Sequence, residues 1–183
     1  MKLYRQTVED FRFYPGLELD ERQLAAVRES AGAYSAKMRA VRIVSASSVS
    51  KRDLENRLVR KGEDPAQAKE AVEWMAELKL VDDRTTAKQI VEGCIYRGYG
   101  IARAKQALYE KQIPKSLWEE ALEDYPDQSE RIAEFLRTKL RDPDDPRQVK
   151  RAIDAALRRG HSYGEVKRAL ELIGTESQFE EEY

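Results

Sequence analysis

The sequence holds one cysteine, Cys94, and one histidine, His161. A single cysteine excludes an intrachain disulfide. A single histidine leaves no histidine pair for zinc, and no Ser-His-Asp triad is recognisable around it. Because it follows Gly160 at a predicted helix end, His161 is expected at the surface. Glycine (nine residues), proline (six) and aromatics (8%) are sparse, which argues against a β-sandwich. No apolar run approaches the ~20 residues of a membrane span, so no membrane partner is expected. The opening "MKLYRQTVEDF" lacks the apolar core of a signal peptide, and the expected compartment is the cytoplasm.

What is present is charge, 37% of residues, alongside 41% hydrophobic residues, a mixture rich in helix formers. From Asp20, a plausible N-cap, apolar residues recur at Leu24, Val27, Ala31, Tyr34, Met38 and Val41, one face of a helix. Ser50 can cap a second helix bearing Leu54 and Leu58 and stopping at Gly62. Asp64-Pro65 opens a third, with Ala68, Val72 and Met75 on its stripe. The same grammar returns. Gly100 precedes Ile101, Ala104 and Leu108, and Pro114 precedes Leu117, Ala121 and Leu122. Asp145-Pro146 precedes Val149, Ile153 and Ala156, ended by Gly160. Ser162 and Glu165 make a capping box before Val166, Leu170 and Ile173.

These pairs share a register. With Gly62, Gln112 and Gly160 aligned, Leu58, Leu108 and Ala156 coincide, as do Val72, Leu122 and Leu170. A further helix precedes each pair, at about 20–46, 83–97 and 128–141. The expected fold is all-α, an elongated array of three tandem three-helix repeats in which no repeat buries its apolar face alone. The expected divisions are 1–19, irregular or with a short strand near "FRFY"; repeats at 20–80, 81–126 and 127–174; and an acidic tail at 175–183.

The net charge of −1 conceals a segregation of sign. The first short helix of each pair is basic, through Arg57, Arg60 and Lys61, then Arg97, Arg103 and Lys105, then Arg158 and Arg159. The segments that follow are acidic: 119–130 carries six acids and no base. If the repeats stack alike, the basic helices form a stripe suited to a polyphosphate backbone or an acidic protein groove. The plain alternative is a set of solvated helix faces with (i, i+4) ion pairs.

No constellation points to catalysis or to a cofactor. Cys94 falls on the stripe Ala87, Val91, Cys94 and reads as a small core residue. Trp74 and Trp118 flank stripe residues and read as packing between repeats. The acids form no EF-hand loop and no metal set, and Gly98-Tyr99-Gly100 lacks the G-x-x-x-x-G-K pattern. The chain reads as a binding protein rather than an enzyme. In "LVDDRTTAKQIVEGCIYRGYG", Asp82 and Asp83 read as a helix cap, Gly98 as a left-handed stop and Gly100 as the turn into the next helix. Ser50, Gly62 and Gly160 are the corresponding joints elsewhere.

That stretch continues as "LKLVDDRTTAKQIVEGCIYRGYGIARAKQAL" and resembles the RecX family of recombination regulators. Upstream, "SVSKRDLENRLVRKGEDP" resembles that family's Ser-x-x-x-Leu-x-x-x-Leu-x-x-x-Gly element, at Ser50, Leu54, Leu58 and Gly62. Downstream, "AALRRGHSYGEVKRAL" resembles its closing basic-Gly-aromatic-Ser element. His161 and Gln112 stand where an aromatic and a glycine are usual, and Thr85-Thr86 replaces a charged-aromatic pair. The resemblance, over residues 20–173, implies a helical protein that binds the RecA recombinase filament and inhibits its ATPase and strand exchange. DNA is a second implied partner, and a monomer is expected. The basic residues named above are then the expected docking surface. The alternative is a helical-repeat module that binds DNA or RNA directly, without RecA.

Overall fold

The computed structural model describes residues 3–140, 142 and 145–174; the predicted acidic tail lies outside them. Among the described residues there are ten α-helices, one 3-10 turn and no strand. The fold is all-helical. The helices are α1 (Arg5–Asp10), α2 (Glu21–Ala46), α3 (Lys51–Arg60), α4 (Pro65–Glu77), α5 (Asp83–Tyr96), α6 (Ile101–Glu110), α7 (Trp118–Leu122), α8 (Ser129–Lys139), α9 (Pro146–Arg158) and α10 (Tyr163–Leu172). The 3-10 turn, Lys115–Leu117, leads into α7. The strand allowed near residues 11–14 does not form, and the segment before α2 contains the short helix α1 instead.

The helices start where short polar side chains satisfy the first N–H groups. Ser50 Oγ accepts from Asp53 N at 3.1 Å, Asp64 Oδ1 from Ala66 N at 2.9 Å and Ser162 Oγ from Glu165 N at 3.3 Å. Asp20 with Gln23, and Ser162 with Glu165, form capping boxes. Asp82 caps α5 by accepting from Arg84 N at 3.1 Å and Thr85 N at 3.2 Å, and the Thr85 hydroxyl bond, with these backbone bonds, holds its carboxyl below the usual range. Asp83 does something else. Its Oδ1 accepts from Lys51 N at 2.8 Å, so it caps α3 rather than its own helix.

The stops after α3, α6 and α9 share one geometry. Gly62, Gln112 and Gly160 take φ of +89°, +55° and +88°. The next residue's N–H reaches back five residues: Glu63 to Leu58 O, Ile113 to Leu108 O and His161 to Ala156 O. These are Schellman stops, in which a left-handed residue turns the chain while the last carbonyls keep their donors.

The chain divides into two compact units between Thr86 and Ala87, within α5. In the first, Leu54 and Leu58 of α3 and Ala68, Ala71, Val72 and Met75 of α4 bury against Ala36 and Ala40 of α2. Small alanines on both α2 and α4 let those helices approach closely. The predicted α2 stripe is only partly the buried face: Val27 and Ala31 are buried, whereas Tyr34, Met38 and Val41 are half-buried. A helix of 26 residues serves two partners. Tyr34 meets Tyr4 beside α1, with ring centroids 6.0 Å apart, while Ala36 and Ala40 face the core.

The second unit holds two apolar clusters. One gathers Ala87, Val91, Leu108 and Ile113, with Trp118, Leu122 and Tyr125 partly buried against it. The other gathers Ile132, Ala133 and Leu136 of α8 with Val149, Ala152 and Ala156 of α9 and Val166, Ala169 and Leu170 of α10. Trp74 and Trp118 each pack into the cluster of their own helices. None of the described helices is long and apolar enough to cross a membrane.

Candidate partner-binding surface

The basic residues singled out from the sequence divide by what their side chains already hold. On α3, Arg57 pairs with buried Asp53, Nη2 to Oδ2 at 2.8 Å, and leans toward Ser47 Oγ at 3.4 Å. Arg60 and Lys61 are exposed, although Arg60 Nε donates to Asn56 O at 3.3 Å. Lys61 contributes its carbonyl, not its ammonium, to the fold by accepting from Arg39 Nη1 at 3.1 Å.

On α6, Arg103 pairs with Glu110 at 3.2 Å. Hydrogen bonds from Gln106 and Arg103 hold the Glu110 carboxyl below the usual range. Glu110 stands where Arg60 and Arg158 stand in the other two helices, so the basic character of α6 is interrupted at that position. Lys105 is exposed. On α9, Arg147, Arg151 and Arg158 are exposed along one side of the helix. Arg147 and Arg151 count among the basic residues of this helix in the sequence but were left out of the expected docking set, although their (i, i+4) spacing was a readable signal.

Arg97, Arg103 and Arg159 come together at the joint "RGYG", residues 97–100. Here the end of α9 meets the start of α6. Gly100 N donates to Arg159 O at 3.0 Å, and Ala102 N donates to Gly160 O at 3.2 Å. The orphan donors of one helix meet the orphan acceptors of another, with their dipoles head to tail. A Cβ on Gly100 would collide with Gly160 O, and one on Gly160 with Arg103 N. Gly100 has φ of −81°, which any residue adopts, so close approach rather than backbone freedom demands glycine there.

Four side chains close off the end of α5 by donating to carbonyls at its last turn and in the joint that follows. Arg131 Nη1 reaches Ile95 O at 2.6 Å and Arg159 Nη2 reaches Arg97 O at 2.7 Å. His161 Nε2 reaches Gly98 O at 3.1 Å, and Tyr125 Oη reaches Tyr99 O at 2.5 Å. Arg159 also lies over two rings, 5.3 Å from the Tyr99 centroid and 4.6 Å from that of Phe135. Its guanidinium is therefore engaged within the protein, and Arg97, though exposed, also lies over the Tyr99 ring, 5.9 Å from its centroid.

His161 is not at the surface. It is 6% exposed, because the Schellman stop turns it inward onto the α5 end. Burial lowers its pKa, with the nearby Arg159 charge adding to the effect and the Gly98 bond and Glu165 opposing it. A carbonyl only accepts, so Nε2 carries the proton of the neutral ring. Burial likewise pushes the Tyr125 phenol up to about 12 and raises the Cys94 thiol, keeping that thiol protonated in the core. Among the described residues no group of three or more His, Cys, Asp or Glu could hold a metal ion.

Comparison with known proteins places this geometry in context. Residues 82–122 match the family model described as RecX, second three-helix domain. A regulatory protein RecX from Vibrio parahaemolyticus serotype O3:K6 is 25% identical over 146 residues, 78% of this chain and 94% of that protein. A regulatory protein RecX from Halorhodospira halophila is 32% identical over 96 residues, 51% of this chain and 60% of the relative. The crystal structure of a regulatory protein RecX superposes with a TM-score of 0.74 at 22% identity, covering 95% of this chain and 88% of that one. That of RecX from Lactobacillus salivarius gives 0.71 at 18% identity, covering 79% and 98%. At these identities the two solved structures establish the fold.

Proposed function

We propose, from the premise that this chain belongs to the RecX family of regulatory proteins, that it binds the RecA recombinase filament and restrains its ATPase and strand exchange. In this reading the protein acts by occupancy rather than by chemistry. The observation that carries it is the pair Arg60 and Arg158. They occupy equivalent positions, two residues before the left-handed glycine, and both face solvent. Exposed cations held at the ends of packed helices suit a partner that presents negative charge.

The test is RecA-dependent ATP hydrolysis on single-stranded DNA with the protein added. The unaltered chain inhibits it. Arg60→Glu combined with Arg158→Glu raises the half-inhibitory concentration about tenfold while helix content stays the same. No inhibition and no filament binding at excess protein would sink the proposal.

The exposed run Arg147, Arg151 and Arg158 on α9 favours a second reading, direct backbone binding to DNA or RNA. In that case affinity for DNA alone falls steeply with salt, with a log–log slope of about −0.9 per phosphate contacted.

A further inference from the structure

The helices that open the three pairs differ in how much of their charge is met within the fold. α3 carries four cations against two acids, α6 two against one, and α9 four against one. Arg57 of α3 is paired with Asp53, and Arg103 of α6 with Glu110. On α9, Arg151 and Arg158 are exposed, and among the described residues neither has an ion pair or a side-chain hydrogen bond. Arg147 is exposed on the same side, near the Asp145 carboxylate that caps the helix. The one acid of α9, Asp154, is half-buried among these cations and leaves the helix with an excess of three positive charges. Leu157, beside Arg158, is 37% exposed, and Tyr163, where α10 begins, is 45% exposed. This face is cationic with an apolar edge.

The same chain holds the matching charge. Residues 175–183, "TESQFEEEY", contain four glutamates and no base, with Phe179 and Tyr183 on either side of Glu180, Glu181 and Glu182. The segment follows directly on Gly174, just past the end of α10, and α10 packs with α9 in one apolar cluster. Nine residues extend to about 30 Å. The 13 residues of α9 span about 20 Å, so the segment is long enough to run the length of that helix. Tethering gives it an effective concentration on the order of millimolar, ahead of any free polyanion present at less than that.

We propose that the acidic segment 175–183 lies on the exposed face of α9, with its glutamates against Arg151 and Arg158 and Phe179 against Leu157, and withholds that face from other polyanions. The contact within the chain stands on its own. The withholding rests on the second reading above, in which α9 binds a nucleic-acid backbone.

Two measurements on the full chain test the two parts. A nitroxide is attached at Gln178→Cys, while Cys94 is buried and stays unlabelled. Amide signals of residues 151–158 are broadened, and the broadening falls severalfold when Glu176, Glu180, Glu181 and Glu182 are all changed to glutamine. A segment held only by its tether broadens them equally in both forms, and that result, or no broadening in either, overturns the contact. Broadening that arises only between labelled and unlabelled chains in a mixture makes a second copy the occupant and also overturns it. In the second measurement, the four glutamine substitutions raise affinity for oligothymidylate about tenfold. Changing Glu29, Glu70, Glu73 and Glu77 to glutamine instead alters the net charge equally and raises affinity much less. Equal gains from the two sets overturn the withholding. Absence of oligothymidylate binding in every form overturns the second functional reading and the withholding with it, and the contact is then decided by the broadening.

Discussion

The turns after α3 and α9 obey one local code and end in different uses. Both pass through a left-handed glycine, and both bury the next residue. After α3 that residue is Glu63, which takes Arg39 Nε at 2.6 Å and Ser35 Oγ at 2.9 Å from α2. The turn is tied to its own triplet, and a Cβ on Gly62 would meet nothing within 4 Å. After α9 the residue is His161, which reaches the end of α5, and Gly160 lies against Arg103. The equivalent residue of the middle turn, Ile113, simply joins the core. A Schellman stop thus fixes that a side chain will be buried, and the chemistry of that side chain decides what the turn holds.

The strongest way to break the comparison is to add one methyl group at each glycine. Gly160→Ala incurs the left-handed penalty of about 1–2 kcal/mol together with a collision against backbone, for a total of about 3 kcal/mol or more. Gly62→Ala incurs only the left-handed penalty, the same ~1–2 kcal/mol. Gly100→Ala carries no φ penalty, yet it should cost more than Gly62→Ala because its Cβ has no room. Urea denaturation of the three variants gives the ranking. A Gly62→Ala loss as large as that of Gly100→Ala would refute the distinction drawn between the turns.

How far the fold could be read from sequence follows the same line. Ser50, Asp64, Ser162, Gly62 and Gly160 were readable because caps and stops are decided by residues within a turn or two of the helix end. The shared register of the three helix pairs was readable for the same reason. What could not be read depends on which end meets which. Asp83 looks like a cap for α5, and only the approach of α3 gives its carboxylate to Lys51. Arg159 looks like one more surface cation until the Tyr99 and Phe135 rings are brought around it. The Glu110 that neutralises Arg103 was visible as the odd residue at its register position, but charge counts by segment averaged it away.

A smaller effect separates the two turns by pH. His161 is the chain's one histidine, and its folded pKa lies below the ordinary 6.5. As pH falls through about 6.5 the unfolded chain takes up a proton first, while the folded chain resists because its imidazole is buried. Stability is therefore full above that value, declines as pH falls toward the lower folded pKa, and is flat with respect to this group below it. His161→Phe should remove that component of the decline, and Glu63→Gln should leave it in place. Chemical denaturation at intervals between pH 7 and pH 5 makes the comparison, and an unchanged slope in His161→Phe contradicts it.

The smallest effect runs in the opposite direction and concerns the turn between the other two. Gln112 holds φ of +55° where its counterparts are glycine. An L side chain in that conformation is strained by about 1 kcal/mol, while glycine adds about as much backbone entropy to the unfolded chain as it would elsewhere in a turn. The strain relieved slightly exceeds the ~0.4–1 kcal/mol of unfolded-chain entropy that glycine adds, so the net gain from Gln112→Gly is about a few tenths of a kcal/mol. That is enough to raise the melting temperature by about 1 °C. Lys79, at φ of +56° after α4, lies outside the aligned Schellman stops of Gly62, Gln112 and Gly160 and provides the control. A similar rise for Lys79→Gly would show that left-handed strain alone sets the gain, independent of the repeat. A rise confined to Gln112→Gly would show that the Schellman stop after the second helix of each triplet is the position at which the repeat is tuned for glycine.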